Sequence, residues 1–77
     1  MDVRVIFGQV LREVRNEQGV SQERLALEAG IDRSYISKLE NGLYQPSLSM
    51  LFAIAEILNC RPGELVDLVE KEMKKQG

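Results

Sequence analysis

The chain has 77 residues, of which 44% are hydrophobic and 29% are charged, and its formal net charge is −2. This length predicts one domain with a modest core over residues 1–77, and a single cysteine excludes a disulfide framework within the chain. No apolar run reaches the ~18–20 residues that span a bilayer and no secretory signal is present, so we expect a cytoplasmic protein without a membrane segment.

The first two helices are predicted from apolar spacing and from their end signals. Apolar residues recur every three or four positions over residues 3–18, which is typical of an amphipathic helix, and Gly19 ends this helix. Ser21 is a good N-cap for a second helix, which Gly30 ends. The inward-facing residues are expected to be Val3, Phe7, Val10, Leu11 and Val14 in the first helix and Leu25, Ala26 and Ala29 in the second.

A third short helix is predicted from Arg33 to about Glu40. Asp32 is its expected N-cap, and the pair Asn41–Gly42 is a signal for a helix end followed by a turn. The inward residues of this helix are expected to be Ile36 and Leu39.

Two further helices follow a loop that ends at Pro46. Ser47 is the expected N-cap of the fourth helix, which runs to about Leu58. Pro62 suits the first turn of a fifth helix that runs to about Met73, and residues 74–77 are expected to fray. No segment alternates as a half-buried strand would, so the predicted fold class is all-α, a compact bundle of five helices. Asn59 is the expected left-handed end of the fourth helix, and its core stripe is expected to contain Leu48, Leu51, Ile54, Ala55 and Leu58.

Residues 21–41 have the pattern of a helix-turn-helix. Ala26 is small enough to let two helices approach, and Gly30 suits a turn that requires a positive φ. A plain helical hairpin with a polar outer face would explain any one of these positions, but their combination favours a DNA-reading motif. The apolar wedge is formed by Leu25, Ala29, Ile31, Ile36 and Leu39, and the outward side chains of the third helix, all hydrogen-bond donors, are Arg33, Ser34, Tyr35, Ser37 and Lys38.

The charge distribution limits how such a motif would bind DNA. Residues 1–47 carry six Lys/Arg against seven Asp/Glu, and residues 48–77 carry four against five. Phosphates dominate the affinity of most DNA-binding proteins, many of which are strongly basic. Here the affinity must come from a few well-placed cations and neutral donors, doubled by dimerisation.

The run SQERLALEAGIDRSYISKLENG, followed by PSLSMLFAIAEIL, resembles the lambda-repressor-like family of phage repressors and Cro-type regulators over roughly residues 5–70. Within that family, the segment DRSYIS and the short chain are most similar to controller proteins of restriction-modification systems. The resemblance implies a sequence-specific transcription regulator that binds double-stranded DNA. A phage-type repressor or an antitoxin are alternatives, and a protein-interaction module that has lost DNA binding is an alternative of another class, favoured slightly by the pI of about 5.1.

The resemblance also implies roles for individual residues. Gln22 would grip a phosphate at the start of the second helix, a position that leaves its side chain no other evident partner. Arg33 would make a bidentate contact to guanine, although it could instead pair with Asp32 or Glu28 on the surface. The other residues matched to base, phosphate or turn contacts are Ser34, Tyr35, Ser37, Lys38, Asn41, Leu43 and Tyr44, whose alternatives are inert surface hydroxyls for the serines, ring packing for Tyr35, and solvation or pairing with Glu40 for Lys38.

The family commonly pairs an arginine late in the first helix with a glutamate late in the third. Here those positions are Arg15 and Glu40, so the resemblance implies a mainly structural ion pair that fixes the first helix to the reading helix. The remaining edge of the guanidinium could point at a phosphate.

The fourth and fifth helices, within residues 47–73, have more apolar surface than one core stripe requires. A monomer of this size should not expose it, so a two-fold homodimer through these helices is expected, with recognition helices ~34 Å apart on a near-palindromic operator. The alternative is an apolar stripe fully used by packing within the chain. The residues assigned to the interface are Phe52, Ile57, Leu65, Leu68 and Val69.

Several residue types and motifs needed for catalysis or cofactor binding are missing from the sequence. There is no histidine, and no glycine-rich loop that would hold a phosphate. Cys60 has no second cysteine or histidine to activate it, so it is expected to be a packing residue. We therefore expect no enzyme activity, metal site, cofactor or small-molecule effector.

Overall fold

The computed structural model describes Asp2–Gln76, which form five α-helices and, within that range, no strand. The helices are α1 (Val3–Glu17), α2 (Gln22–Ala29), α3 (Arg33–Glu40), α4 (Leu48–Ile57) and α5 (Pro62–Gln76). The predicted all-α fold is confirmed. The end predicted for α5 was wrong because the helix continues three residues past Met73, where cationic Lys74 and Lys75 stabilise its C-terminal dipole. Gly77, also expected to fray, lies outside the described residues.

The helix ends follow the capping signals in the sequence, with one exception. Ser21 and Ser47 accept hydrogen bonds on Oγ from backbone amides three residues later, at 3.0 and 3.1 Å. Asn59 adopts a left-handed conformation with φ 56°. The exception is Asp32, which stands at the N-cap position of α3 without a side-chain capping bond. Its backbone carbonyl accepts from the Tyr35 amide at 3.0 Å.

The core lies between all five helices, with α1 packed on α3 and α5, α2 on α3 and α4, and α4 on α5. Leu65 and Val69 belong to this core, so their assignment to a dimer interface is corrected: at 0% and 7% exposed they are already covered by the chain itself. Leu48, expected in the core, is 72% exposed instead. The buried hydrophobic residues are Ile6, Phe7, Val10, Leu11, Val20, Leu25, Ala26, Ile36, Leu39, Ile54, Ala55, Leu58, Leu65 and Val69.

The crossing of α1 and α3 depends on Gly8, to which the sequence analysis gave no role. An ideal Cβ at this position would lie 2.5 Å from the Leu39 carbonyl oxygen and 2.6 Å from that of Glu40. Both neighbours are backbone atoms, so no side chain can rotate to make room. Glycine therefore allows α1 to lie directly on the last turn of α3.

Gly8→Ala should destabilise the fold by about 1–3 kcal/mol, because the added methyl group forces the two helices apart. Gly63→Ala is the matched control: a Cβ there meets nothing within 4 Å, and alanine is the better helix former. Thermal unfolding of both variants checks this. Equal melting temperatures would contradict the proposed close packing at Gly8.

Candidate nucleic-acid interface

The turn between α2 and α3 consists of three residues, Gly30, Ile31 and Asp32. Gly30 has φ +70°, a conformation that residues with a Cβ adopt only at a cost. The Ile31 amide then donates to the Ala26 carbonyl at 2.9 Å, which closes the end of α2. This tight turn lets α3 pack against α2 while the outer face of α3 stays in solvent.

Arg33, at the start of α3, contacts Gln22, at the start of α2. The Arg33 Nη1 donates to the Gln22 Oε1 at 3.3 Å. The surface pairing of Arg33 with Glu28 is not observed, since Glu28 accepts from Arg24 at 2.8 Å. Ser34 is exposed and Ser37 is half-buried further along the same helix.

A cluster of two aromatic rings and one ammonium group joins α3 to the loop that follows it. The Tyr35 and Tyr44 rings lie with centroids 5.9 Å apart at 35°, and the Lys38 Nζ lies 5.5 Å from the centroid of the Tyr44 ring. Both geometries are within the range of favourable aromatic and cation–π contacts. The structure thus brings together three residues that the sequence analysis assigned to DNA binding, and it gives Lys38 an aromatic neighbour.

Glu40 is the buried centre of a polar network that joins three helices. Its side chain accepts from Arg15 Nε at 2.6 Å and Nη2 at 3.1 Å, from Arg12 Nε at 3.3 Å and from Gln22 Nε2 at 3.0 Å. The residue is only 4% exposed. Four donated bonds offset the cost of burying a carboxylate, which is otherwise high.

Burial alone would raise the pKa of the Glu40 carboxyl, because it disfavours the charged form. The hydrogen bonds from Arg15 and Gln22, the charge of Arg15 and the hydrogen bond from Arg12 outweigh burial, so the pKa lies below the ordinary glutamate value. Glu40 is therefore ionised in the folded protein at neutral pH.

The network corrects the expectation that Gln22 has no partner within the protein. Its amide donates to Glu40 through Nε2 and accepts from Arg33 through Oε1. Gln22 thus links the buried carboxylate to the first residue of the exposed helix.

Arg15 is engaged more completely than the resemblance implied. Its Nη1 donates to the Val20 carbonyl at 2.8 Å, while Nε and Nη2 donate to Glu40. Its side chain is 11% exposed. Three of its five N–H groups donate within the protein, so Arg15 mainly holds α1 against α3.

Arg12 also belongs to this network, although the sequence pattern did not predict it as a site residue. Its Nη2 donates at 3.2 Å to Asn41 Oδ1, while the Asn41 Nδ2 lies 3.4 Å from Ser37 Oγ. The signal available was its position three residues before Arg15, which places both guanidinium groups on one face of α1.

The remaining residues assigned to a dimer interface lie on different surfaces. Phe52 is 56% exposed on α4, and Ile57 lines a groove between α2 and α4 beside Ala29. Leu68 lines the groove between α5 and α1. The five residues assigned to the interface therefore do not form one patch.

Cys60 is half-buried against the core, as expected of a packing residue. Burial and, next, the charge of Glu64 raise the pKa of its thiol, so the reactive thiolate is disfavoured at neutral pH.

Within Asp2–Gln76, no three His, Cys, Asp or Glu residues meet in a metal-ligand arrangement. Over the same range, every helix is too short or too polar to cross a membrane.

Comparison with known proteins identifies the family. The family model described as Helix-turn-helix matches residues 11–65, from within α1 into α5. The chain belongs to the lambda-repressor-like helix-turn-helix family of DNA-binding transcription regulators. This family is not an enzyme family, and membership confirms the resemblance and the DNA-binding function predicted from the sequence.

Several relatives within this family are similar along most of their length. The control protein C.BamHI of Bacillus amyloliquefaciens is 37% identical over 67 residues, which cover 86% of this chain and 83% of that protein. The structure of the restriction-modification controller protein C.AhdI from Aeromonas hydrophila shares 45% identity with a TM-score of 0.77, over 80% of this chain and 94% of that one. The clp gene regulator ClgR from Corynebacterium glutamicum shares 26% identity with a TM-score of 0.92, over 96% and 79% of the two chains.

Proposed function

We propose that this protein is a controller-type regulator of restriction-modification genes that binds a two-fold symmetric DNA operator as a homodimer. The observation that carries the proposal is the exposed, donor-rich face of α3, connected through Arg33 and Gln22 to a buried network. The names of C.BamHI and C.AhdI support the subtype. The protein acts in the cytoplasm, requires no cofactor or effector, and catalyses no reaction.

The start of α3 enters the major groove, which admits a helix and displays a different donor and acceptor pattern for each base pair. Arg33 reads guanine through a bidentate contact. Its 3.3 Å bond to Gln22 is longer than the usual 2.9–3.0 Å, so exchanging it for a base edge costs little. Ser34, Tyr35, Ser37 and Lys38 supply further contacts to bases or the adjoining phosphates.

The start of α2 and the turn after α3 hold the DNA backbone. Gln22 and Glu23 lie in the first turn of α2, where backbone amides have no acceptor within the helix and attract anions. Asn41 and Tyr44 approach the backbone from the other end of α3. These contacts fix the register of the protein on DNA, and Arg33 specifies the sequence.

The exposed face of α4 forms the dimer contact. Leu48 and Phe52 lie one helical turn apart and are 72% and 56% exposed, and Ala53 and Ile57 line the adjoining groove. An apolar strip of this kind on a 77-residue chain favours burial against a second copy. Binding to both half-sites of a symmetric operator requires the two α3 helices to lie about one DNA turn apart, roughly 34 Å.

Selection from random duplex DNA at two salt concentrations tests this function. The expected result is a two-fold symmetric motif whose binding weakens as salt rises. Failure to enrich any sequence at low salt would contradict the proposal and would favour a protein-interaction module. An asymmetric motif of one half-site would contradict the dimer.

Arg33→Ala should relax the base preference at one position in each half-site of the enriched operator by ~1–3 kcal/mol. Affinities for the operator and for its single-base variants at that position measure the effect. Arg61→Ala is the control, because Arg61 is exposed and pairs with Glu64 at the start of α5. If Arg33→Ala discriminated between the operator and its single-base variants as strongly as Arg61→Ala does, base reading by Arg33 would be excluded.

A further inference from the structure

We propose that Arg12 on α1 binds a phosphate of the DNA backbone, and that it supplies an electrostatic contact from outside the helix-turn-helix. This inference rests on the proposed DNA-binding function. It follows from the charges and contacts around Glu40.

The charges in the Glu40 network do not cancel. One buried carboxylate meets two guanidinium groups, from Arg12 and Arg15, so the three side chains carry a net charge of +1. The Arg15 side chain is 11% exposed and that of Arg12 is 51% exposed. Arg15 neutralises Glu40 inside the protein, and the surplus positive charge lies in solvent on Arg12.

The guanidinium of Arg12 is held beside the proposed DNA-binding surface. Its Nε donates to Glu40 and its Nη2 to Asn41, in the turn that follows α3. Nη1 makes no hydrogen bond to any part of the chain that the structure describes. A planar guanidinium fixed on one side, with its remaining N–H groups in water, has the geometry that binds phosphate well.

The composition of the chain increases the importance of this charge. The net charge of the whole chain is −2, and phosphate contacts dominate DNA affinity. On the exposed face of α3 the cationic side chains are Arg33 and Lys38. Arg12 adds a third cation next to that face, from a helix outside the helix-turn-helix.

Arg12→Gln tests the inference through the salt dependence of operator binding. Each lost phosphate contact reduces the magnitude of the slope of log K against log salt by about 0.9. A dimer loses one such contact in each protomer, so its slope should fall in magnitude by about 1.8. The ratio of affinities at 50 and 200 mM salt then falls by roughly 12-fold, equally for operator and non-operator DNA. Arg12→Lys keeps the charge and should retain most of the slope.

Lys75→Gln is the matched control. It removes the same unit of charge from an exposed pair with Glu72, in a groove that lies on the other face of α1, beside Glu13 and Glu17. The slope of this variant should equal that of the wild type. Thermal unfolding of each variant confirms that the fold is retained, because Arg15 still neutralises Glu40.

The possible outcomes separate the inference from the proposed function. Suppose that the wild type binds its operator. If Arg12→Gln then keeps the wild-type salt slope, or if Lys75→Gln loses as much of that slope as Arg12→Gln does, the role of Arg12 is overturned and the proposed function stands. If the wild type binds no DNA, both are overturned.

Discussion

Replacing Glu40 by alanine should lower the melting temperature by about 12 °C or more. Removing one side of a buried ion pair costs about 3–5 kcal/mol, and in a domain of this size each kcal/mol lowers the melting temperature by about 4–8 °C. The loss is large because Arg15, whose side chain is only 11% exposed in the wild type, would keep its charge with no carboxylate beside it. Gln22 also loses the acceptor of its amide.

Glu28→Ala is the control for this prediction. Glu28 pairs with Arg24 at 2.8 Å, but both side chains are well exposed. Exposed pairs of this kind contribute 0.2–1 kcal/mol at most sites, so the melting temperature should change by only a few degrees. If Glu40→Ala melted at the same temperature as Glu28→Ala, the buried network would not be what holds α1 to α3.

The same network predicts how stability depends on pH. Because the pKa of Glu40 is lowered in the folded state, its stabilising contribution is fully present above the unfolded-state pKa of about 4.3. That contribution is lost as the pH falls through the folded-state pKa. The difference in stability between wild type and Glu40→Ala should therefore be constant near neutral pH and shrink below about pH 4.

Phe52→Glu should convert the proposed dimer into a monomer and weaken operator binding by at least about 100-fold. A carboxylate on the exposed strip of α4 would have to be buried without a partner. Two joined binding units bind with 10²–10⁴-fold higher affinity than separate ones, and a monomer loses that increase in affinity. Sedimentation at micromolar concentration should show a species of 8.7 kDa, and helicity should be unchanged because Phe52 is 56% exposed within its own chain.

Leu27→Glu provides the comparison for Phe52. Leu27 is 80% exposed on α2, so the substitution adds the same charge at an exposed apolar position away from α4. It should sediment as the wild type does. A Phe52→Glu variant that also stays dimeric would place the interface elsewhere, and the groove that contains Leu68, between α1 and α5, would then be the next surface to test.

The helices and the family were predictable because their signals are local. Serine caps, glycines at left-handed ends and regular apolar spacing each act within a few residues. The assignment of faces on α4 was less accurate, since nearly every residue of LSMLFAIAEI is apolar. Periodicity cannot identify the inner face of a helix that is apolar all round, and Leu48 was misplaced for that reason.

The parts of the candidate site that could not be predicted depend on long-range contacts. Arg12 and Gln22 reach Glu40 across 28 and 18 residues, and no local pattern records that convergence. The role of Gly8 could not be predicted for the same reason. Glycine is a weak helix former within α1, and the need for it is visible only in the fold, where the backbone of α3 passes directly over it. The sequence predicted α3 as the reading helix, and the structure identified the side chains that hold α3 in place.

The affinity of the wild-type protein for its selected operator, compared with an operator in which one half-site is scrambled, tests the central claim most directly. If a nearly neutral reader depends on a second copy for useful affinity, the intact operator should bind two protomers, and scrambling one half should reduce affinity by at least about 100-fold. Equal affinity for both DNAs, with one protomer bound to each, would contradict the account.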